Sequence, residues 1–116
     1  MSLNDYANLC HAAAQKWWHN PATGERLDRN KGEMLCLMHS EISECMEAER
    51  KDLMDDKLPH RKGAEVELAD LLIRVFDYAG AYQMDLESAV REKLEFNRMR
   101  QDHSDLARIG KNGKKW

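Results

Sequence analysis

The chain is predicted to be all-α, a protomer of four helices, on three observations. Apolar residues recur at helical spacing along four separate stretches. Helix breakers are scarce, with only Pro21 and Pro59 and six glycines in 116 residues, where a β-sandwich needs frequent turn signals. One stretch, around Leu68–Ala79, is apolar nearly all round, which is the pattern of a helix covered on more than one side.

The first helix is expected over about Leu3–Trp18, with Tyr6, Leu9, Cys10, Ala13, Ala14 and Trp17 on its apolar face. Residues 20–29, with Pro21 and Gly24, read as a polar loop. Asn30 is suited to cap the second helix, with Glu33 three residues on completing a capping box. That helix should run to about Met54, with Met34, Leu35, Leu37, Met38, Ile42, Cys45 and Met46 as a wide apolar face. The break is expected at Asp55–Pro59, because the residue before proline avoids helical backbone.

The third helix is expected over about His60–Gln83. In so short a chain, its near-continuous apolar surface (Leu68, Leu71, Leu72, Ile73, Val75, Phe76, Tyr78, Ala79) calls for a second subunit as well as an internal core. Asp85 should cap a fourth helix running from Leu86 to about Arg100. Residues 1–104 are taken as one helical domain. Residues 105–116 are basic, glycine-punctuated and expected to be a flexible tail.

Charge and cysteine usage narrow the function classes. A net charge of −3 gives no electrostatic case for nucleic acid binding. The longest apolar run is too short to cross a membrane, and no signal peptide is expected. Three cysteines without C-x-x-C spacing read as reduced and structural, and the location as cytoplasmic. His11, His39, His60 and His103 show no ligand spacing and read as structural or surface residues.

Two carboxylate pairs carry the chemistry. In Glu41-Ile42-Ser43-Glu44 and Glu67-Leu68-Ala69-Asp70 the acids are three residues apart, hence about 5–6 Å apart on one helix face. Both pairs adjoin core positions, where a carboxylate requires a proton, a cation or a metal. Glu67, Asp70, Arg74 and Asp77 form a polar stripe along the otherwise apolar third helix. Four converging carboxylates make a hard, all-oxygen site for Mg²⁺, with Mn²⁺ as a substitute. A di-iron bundle would need histidine in an E-x-x-H arrangement, which neither pair has. On the fourth helix Lys93, Asn97 and Arg100 recur at spacings of four and three, an arrangement suited to phosphate.

The ordered set Glu41-x-x-Glu44, Glu67-x-x-Asp70 and Lys93-x-x-x-Asn97-x-x-Arg100 resembles the all-α nucleoside triphosphate pyrophosphatase superfamily over roughly residues 3–102. That group includes MazG, the dCTP pyrophosphatases and the dimeric dUTPases, and MazG-like proteins are the nearest in pattern. The resemblance implies a helical protomer working as a homodimer or homotetramer. It also implies Mg²⁺-dependent hydrolysis of a (deoxy)nucleoside triphosphate to the monophosphate and pyrophosphate. It makes Glu41, Glu44, Glu67 and Asp70 metal ligands, with Glu41 or Glu44 activating the attacking water. Lys93, Asn97 and Arg100 become phosphate contacts. Arg74 stands where dCTP-cleaving members carry an apolar or aromatic residue.

Base recognition is assigned to Lys16, Trp17, Trp18 and Asn30, since an indole face can stack on a nucleobase. The structural alternative has Trp17 in the core and Trp18 covering the dimer. The competing functional readings are a non-catalytic helical interaction module and a family member that binds nucleotides without cleaving them.

Overall fold

In the computed structural model, which describes residues 1–100, four α-helices are joined without a strand: α1 (Leu3–Ala13), α2 (Lys31–Lys51), α3 (Gly63–Ala81) and α4 (Leu86–Met99). The described residues fall into two compact units, Met1–Met84 and a second that begins at Asp85. The tail expected at 105–116 and His103 lie outside the described residues.

Three of the four helix starts have a side-chain cap, while α3 begins at Gly63, three residues after the expected His60, with no side-chain hydrogen bond from its N-cap Lys62. Ser2 caps α1 in a reciprocal box with Asp5, the two hydrogen bonds being 3.1 and 2.9 Å. Asn30 Oδ1 accepts the Glu33 backbone N–H at 2.9 Å, which is the Asn30 half of the expected capping box. Asp85 accepts from the Ser88 N–H and opens α4. The second helix stops three residues before the expected Met54, because Asp52 turns into the left-handed region (φ 50°) and the Leu53 N–H closes on the Ala48 carbonyl at 3.0 Å.

The first helix also ends early. After Ala13 the backbone tightens into a 3-10 turn over Gln15–Trp17. A 3-10 turn advances each residue further around the axis than an α-helix does, so the residues that follow leave the α-helical face. The consequence is a reversal of the two tryptophans. Trp17, which only the structural alternative placed in the core, is 62% exposed, and Trp18, which that alternative placed over the dimer, is 2% exposed.

In the first unit α3 is the central element, packed by α1 on one side and α2 on the other. Small residues let the axes approach closely: Ala7, Ala48, Ala64 and Ala79 are buried. A Cβ on Gly80 would collide with the Ala7 carbonyl oxygen and stand 2.8 Å from His11 Cβ, so α1 sits against bare α3 backbone there. On the other side Ala48 meets Gly63, Cys45 Sγ reaches the Ala64 carbonyl at 3.6 Å, and Glu41 meets Arg74. Those pairs run in opposite chain directions, so α2 and α3 are antiparallel.

The apolar surface of α3 is only half used within one chain. Leu68, Leu72 and Ile73 are exposed, as are Leu35, Ile42 and Met46 of α2. In the second unit α4 is amphipathic, with Val90, Leu94, Phe96 and Met99 exposed. No described helix is long and apolar enough to cross a membrane. The three cysteines are free thiols.

Candidate metal centre

The antiparallel register of α2 and α3 brings Glu41 opposite Glu67, Asp70 and Arg74. Glu41, Glu67 and Asp70 each offer an oxygen within 4.8 Å of the others. Glu41 is 7% exposed, the one buried charged residue among those described. Its Oε1 accepts from Arg74 Nε at 3.0 Å. Its Oε2 is buried without any hydrogen-bond partner, and so is Glu67 Oε2. A buried, unpartnered carboxylate oxygen is costly, so this cluster is incomplete without something that accepts its lone pairs.

The electrostatics agree with the geometry. Burial pushes the Glu67 carboxyl up to about 8, and hydrogen bonding to Glu41 and Glu44 together with their charges pushes it the same way. With every carboxylate ionised, no donor reaches Glu67 Oε2. A proton on Glu67 makes Glu41 and Glu44 its acceptors instead. Burial also raises the Asp70 carboxyl, and the charges of Glu41, Asp55 and Glu44 add to that while Arg74 opposes it. The site therefore concentrates negative charge that a proton or a cation must neutralise.

Of the four carboxylates expected to converge, Glu44 is the outer one: it reaches Glu67 but is not in the group of three whose oxygens lie within 4.8 Å of one another. It is exposed and lies beside Glu67 along an open acidic groove with Glu47, Asp55 and Asp56. Asp55 was not foreseen as part of the site. Its only sequence signal was an acidic pair in the interhelical break, where Asp55 Oδ2 also caps the Lys57 and Leu58 N–H groups.

A cavity of about 560 Å³ opens beside the cluster. Glu41, Asp70, Arg74 and Asp77 form its polar side, and Leu9, Cys10, Ala13, Ala14, Trp17 and Ile73 its apolar side. Burial, and then the charge of Asp77, push the Cys10 thiol up, which keeps it protonated and unreactive there.

The base-binding residues named from sequence separate accordingly. Trp17 lines the cavity, with Lys16 Nζ 4.9 Å above its ring. Trp18 has no open face for a base. His11 and Tyr82 pack edge-on to its ring, and the Arg26 and Arg29 guanidinium groups lie 5.0 and 5.1 Å from its centre. Its Nε1 donates to Asp77. Asn30 is committed to the α2 cap.

Lys93, Asn97 and Arg100 occupy the second unit. Lys93 Nζ and the Arg100 guanidinium lie 4.7 and 5.9 Å from the Phe96 ring centre. Asn97 Oδ1 is buried without a partner.

Comparison with family models, curated proteins and solved structures returns no match. The likeness to the pyrophosphatase superfamily therefore rests on the residues and spacings themselves.

Proposed function

We propose that this chain is a Mg²⁺-dependent nucleotide pyrophosphohydrolase of the MazG type, cleaving a (deoxy)nucleoside triphosphate to the monophosphate and pyrophosphate. The observation that carries this reading is Glu41, buried on α2 with Oε2 unpartnered beside Glu67 and Asp70. The donor set is all carboxylate oxygen, which fits a hard divalent cation. Glu41, Glu67 and Asp70 would hold the ion, with Glu44 free to approach from the exposed side. A bound Mg²⁺ would polarise phosphoryl oxygens and make water more acidic.

The chain's own groups supply the rest. Glu44 is the better base of the two candidates on α2, because it is exposed while Glu41 is tied to Arg74. It takes a proton from water as the water oxygen bonds to the α-phosphorus. The bond from that phosphorus to the bridging oxygen breaks, and pyrophosphate leaves. The apolar wall of α1 and Trp17 suits a nucleoside; Lys93, Asn97 and Arg100, in the second unit, are side chains of the kind that bind phosphate.

The exposed apolar residues of α2, α3 and α4 support a homodimer or homotetramer. Sedimentation as a monomer at micromolar concentration would remove that part of the reading. The same residues also favour a non-catalytic helical interaction module.

The deciding experiment follows pyrophosphate release from each canonical and modified (d)NTP with Mg²⁺. Release from at least one nucleotide is expected, abolished by Glu41→Gln. No release from any of them, together with no rise in melting temperature on adding Mg²⁺, selects the interaction module.

A further inference from the structure

Arg74 is the residue that the carboxylate motifs do not account for. It lines the cavity beside the acidic cluster, and among the described residues it is the only cationic one in that lining. Its side chain is 40% exposed while that of its partner Glu41 is 9% exposed. Burying the guanidinium with Glu41 would add its own desolvation cost, and it stays partly open to the cavity. It is engaged at one edge and accessible at the rest.

The geometry of guanidinium makes that division useful. The group is a rigid plane with five N–H donors. Nε donates to Glu41 Oε1 at 3.0 Å, and among the described residues no hydrogen bond occupies the Nη atoms. Two Nη–H donors on one edge match two oxygens of a phosphate, a pairing that lysine cannot reproduce. Arg74 also borders a narrow cleft with Arg29, Met34, Leu37 and Met38, so α2 packing restricts its stem.

We infer that Arg74 is a substrate-binding residue: held by Glu41 through Nε, it grips the phosphate nearest the nucleoside through its Nη atoms. The inference rests on the nucleotide reading above and names the group of the substrate that this cavity would hold. The apolar wall of α1 lies on the same cavity as Arg74, so the nucleoside end and its first phosphate are the parts that reach both. In hydrolysis to monophosphate and pyrophosphate that phosphate carries the attacked phosphorus. Arg74 would then act on charge developing in the transition state as well as on ground-state binding.

The product monophosphate keeps the same phosphate, which separates this inference from the activity itself. Binding of dAMP, dCMP, dGMP and dTMP to the full chain would be followed by isothermal titration calorimetry, without Mg²⁺, for the unsubstituted protein, Arg74→Gln and Arg74→Lys. Arg74→Gln leaves Glu41 uncompensated and can impair folding. Arg74→Lys keeps the charge beside Glu41 and removes the two-donor edge, so it retains a test of the same point in a folded protein.

We expect at least one monophosphate to bind. Arg74→Lys should weaken it about tenfold, and Arg74→Gln more, the range for losing a charged hydrogen bond. With a cleaved triphosphate, kcat should fall by about tenfold for Lys and about 100-fold for Gln. Mn²⁺ affinity, read by electron paramagnetic resonance, should stay within about threefold in Arg74→Lys, since the local charge is kept.

Unchanged monophosphate affinity and unchanged kcat in folded Arg74→Lys would overturn the inference and leave Arg74 as a structural partner of Glu41. If that result came from a protein that releases pyrophosphate, the pyrophosphohydrolase reading would stand alone. Arg74-dependent monophosphate binding by a protein that cleaves nothing would support Arg74 and remove the activity.

Discussion

Two acidic sites meet α3, one at Asp77 and one where Glu67 and Asp70 face Glu41 of α2, and they differ in what they lack. At Asp77 the demand for hydrogen bonds is met from within the chain. Trp18 Nε1 donates to both oxygens, at 3.0 and 3.2 Å, and His11 Nδ1 lies 2.9 Å from Oδ1. A carboxylate accepts only, so His11 must carry its proton on Nδ1, which leaves the Nε2 lone pair toward Arg26 Nη2 at 3.4 Å. Two turns earlier, Glu41, Glu67 and Asp70 gather three carboxylates around one protein donor, and two buried oxygens stay unpartnered.

The first arrangement ties α1 and the following loop to α3. The second holds its parts in place for something outside the chain. Burial alone does not distinguish them. The count of donors against lone pairs does.

The largest effect that would separate the clusters is on catalysis. Asp70→Asn should lower the rate of pyrophosphate release by about 1,000-fold or more, about 4 kcal/mol in the barrier. The metal-free melting temperature should hold or rise, because a repulsive charge is gone. A melting temperature that collapses with activity would put Asp70 in the structural class with Asp77.

Next comes Asp77→Ala, which strands the buried Trp18 Nε1 and removes the acceptor for His11. A loss of about 2–4 kcal/mol in urea unfolding is expected. Stability within 0.5 kcal/mol of the original, as an order-of-magnitude threshold for an unimportant contact, would remove the contrast from its other side.

The smallest effect is a slope in pH. The carboxyl of Glu67 titrates near 8 in the fold, raised from the ordinary 4.5 by burial and its acidic neighbours. Between those values the folded chain holds a proton that the unfolded chain has lost. The stability that this proton contributes is therefore fully present below about 4.5, declines as pH rises, and is gone once pH passes about 8. Glu67→Gln should flatten that decline in metal-free protein, and saturating Mg²⁺ should offset it in the original by favouring the ionised form. Thermal melts at pH 5, 6.5 and 8 would read it, at roughly these chosen points along the titration. Parallel slopes for both proteins would deny Glu67 its place in the cluster.

Much of this was legible from residue order, for local reasons. Asn30 and Asp85 cap helices because their side chains reach backbone N–H groups three residues on. The break after α2 was visible in Asp55–Pro59, and the pairing of Glu41 with Glu67 and Asp70 in helical spacing. The reversal of Trp17 and Trp18 was not legible, since it depends on a 3-10 turn that shifts the face. Ser2 with Asp5 was a readable capping signal that the apolar pattern obscured. The stripe Glu67, Asp70, Arg74, Asp77 looked uniform in sequence. Its division into a satisfied and an unsatisfied part depends on which side chains of α1 and α2 arrive opposite.

By itself the amino-acid sequence determined that this protein is helical, where three of its four helices begin, and that acids would lie against the core of two of them. Those properties follow from periodicity, capping and chain stiffness within a few residues. Only the tertiary structure decided that Asp77 would be satisfied by Trp18 and His11, that Glu41 would keep one oxygen unpartnered, and that Arg74 would join the cluster to a cavity. Each of those depends on residues from about 30 to 66 positions apart, and whether a buried charge finds its donor is set by the packing of whole helices.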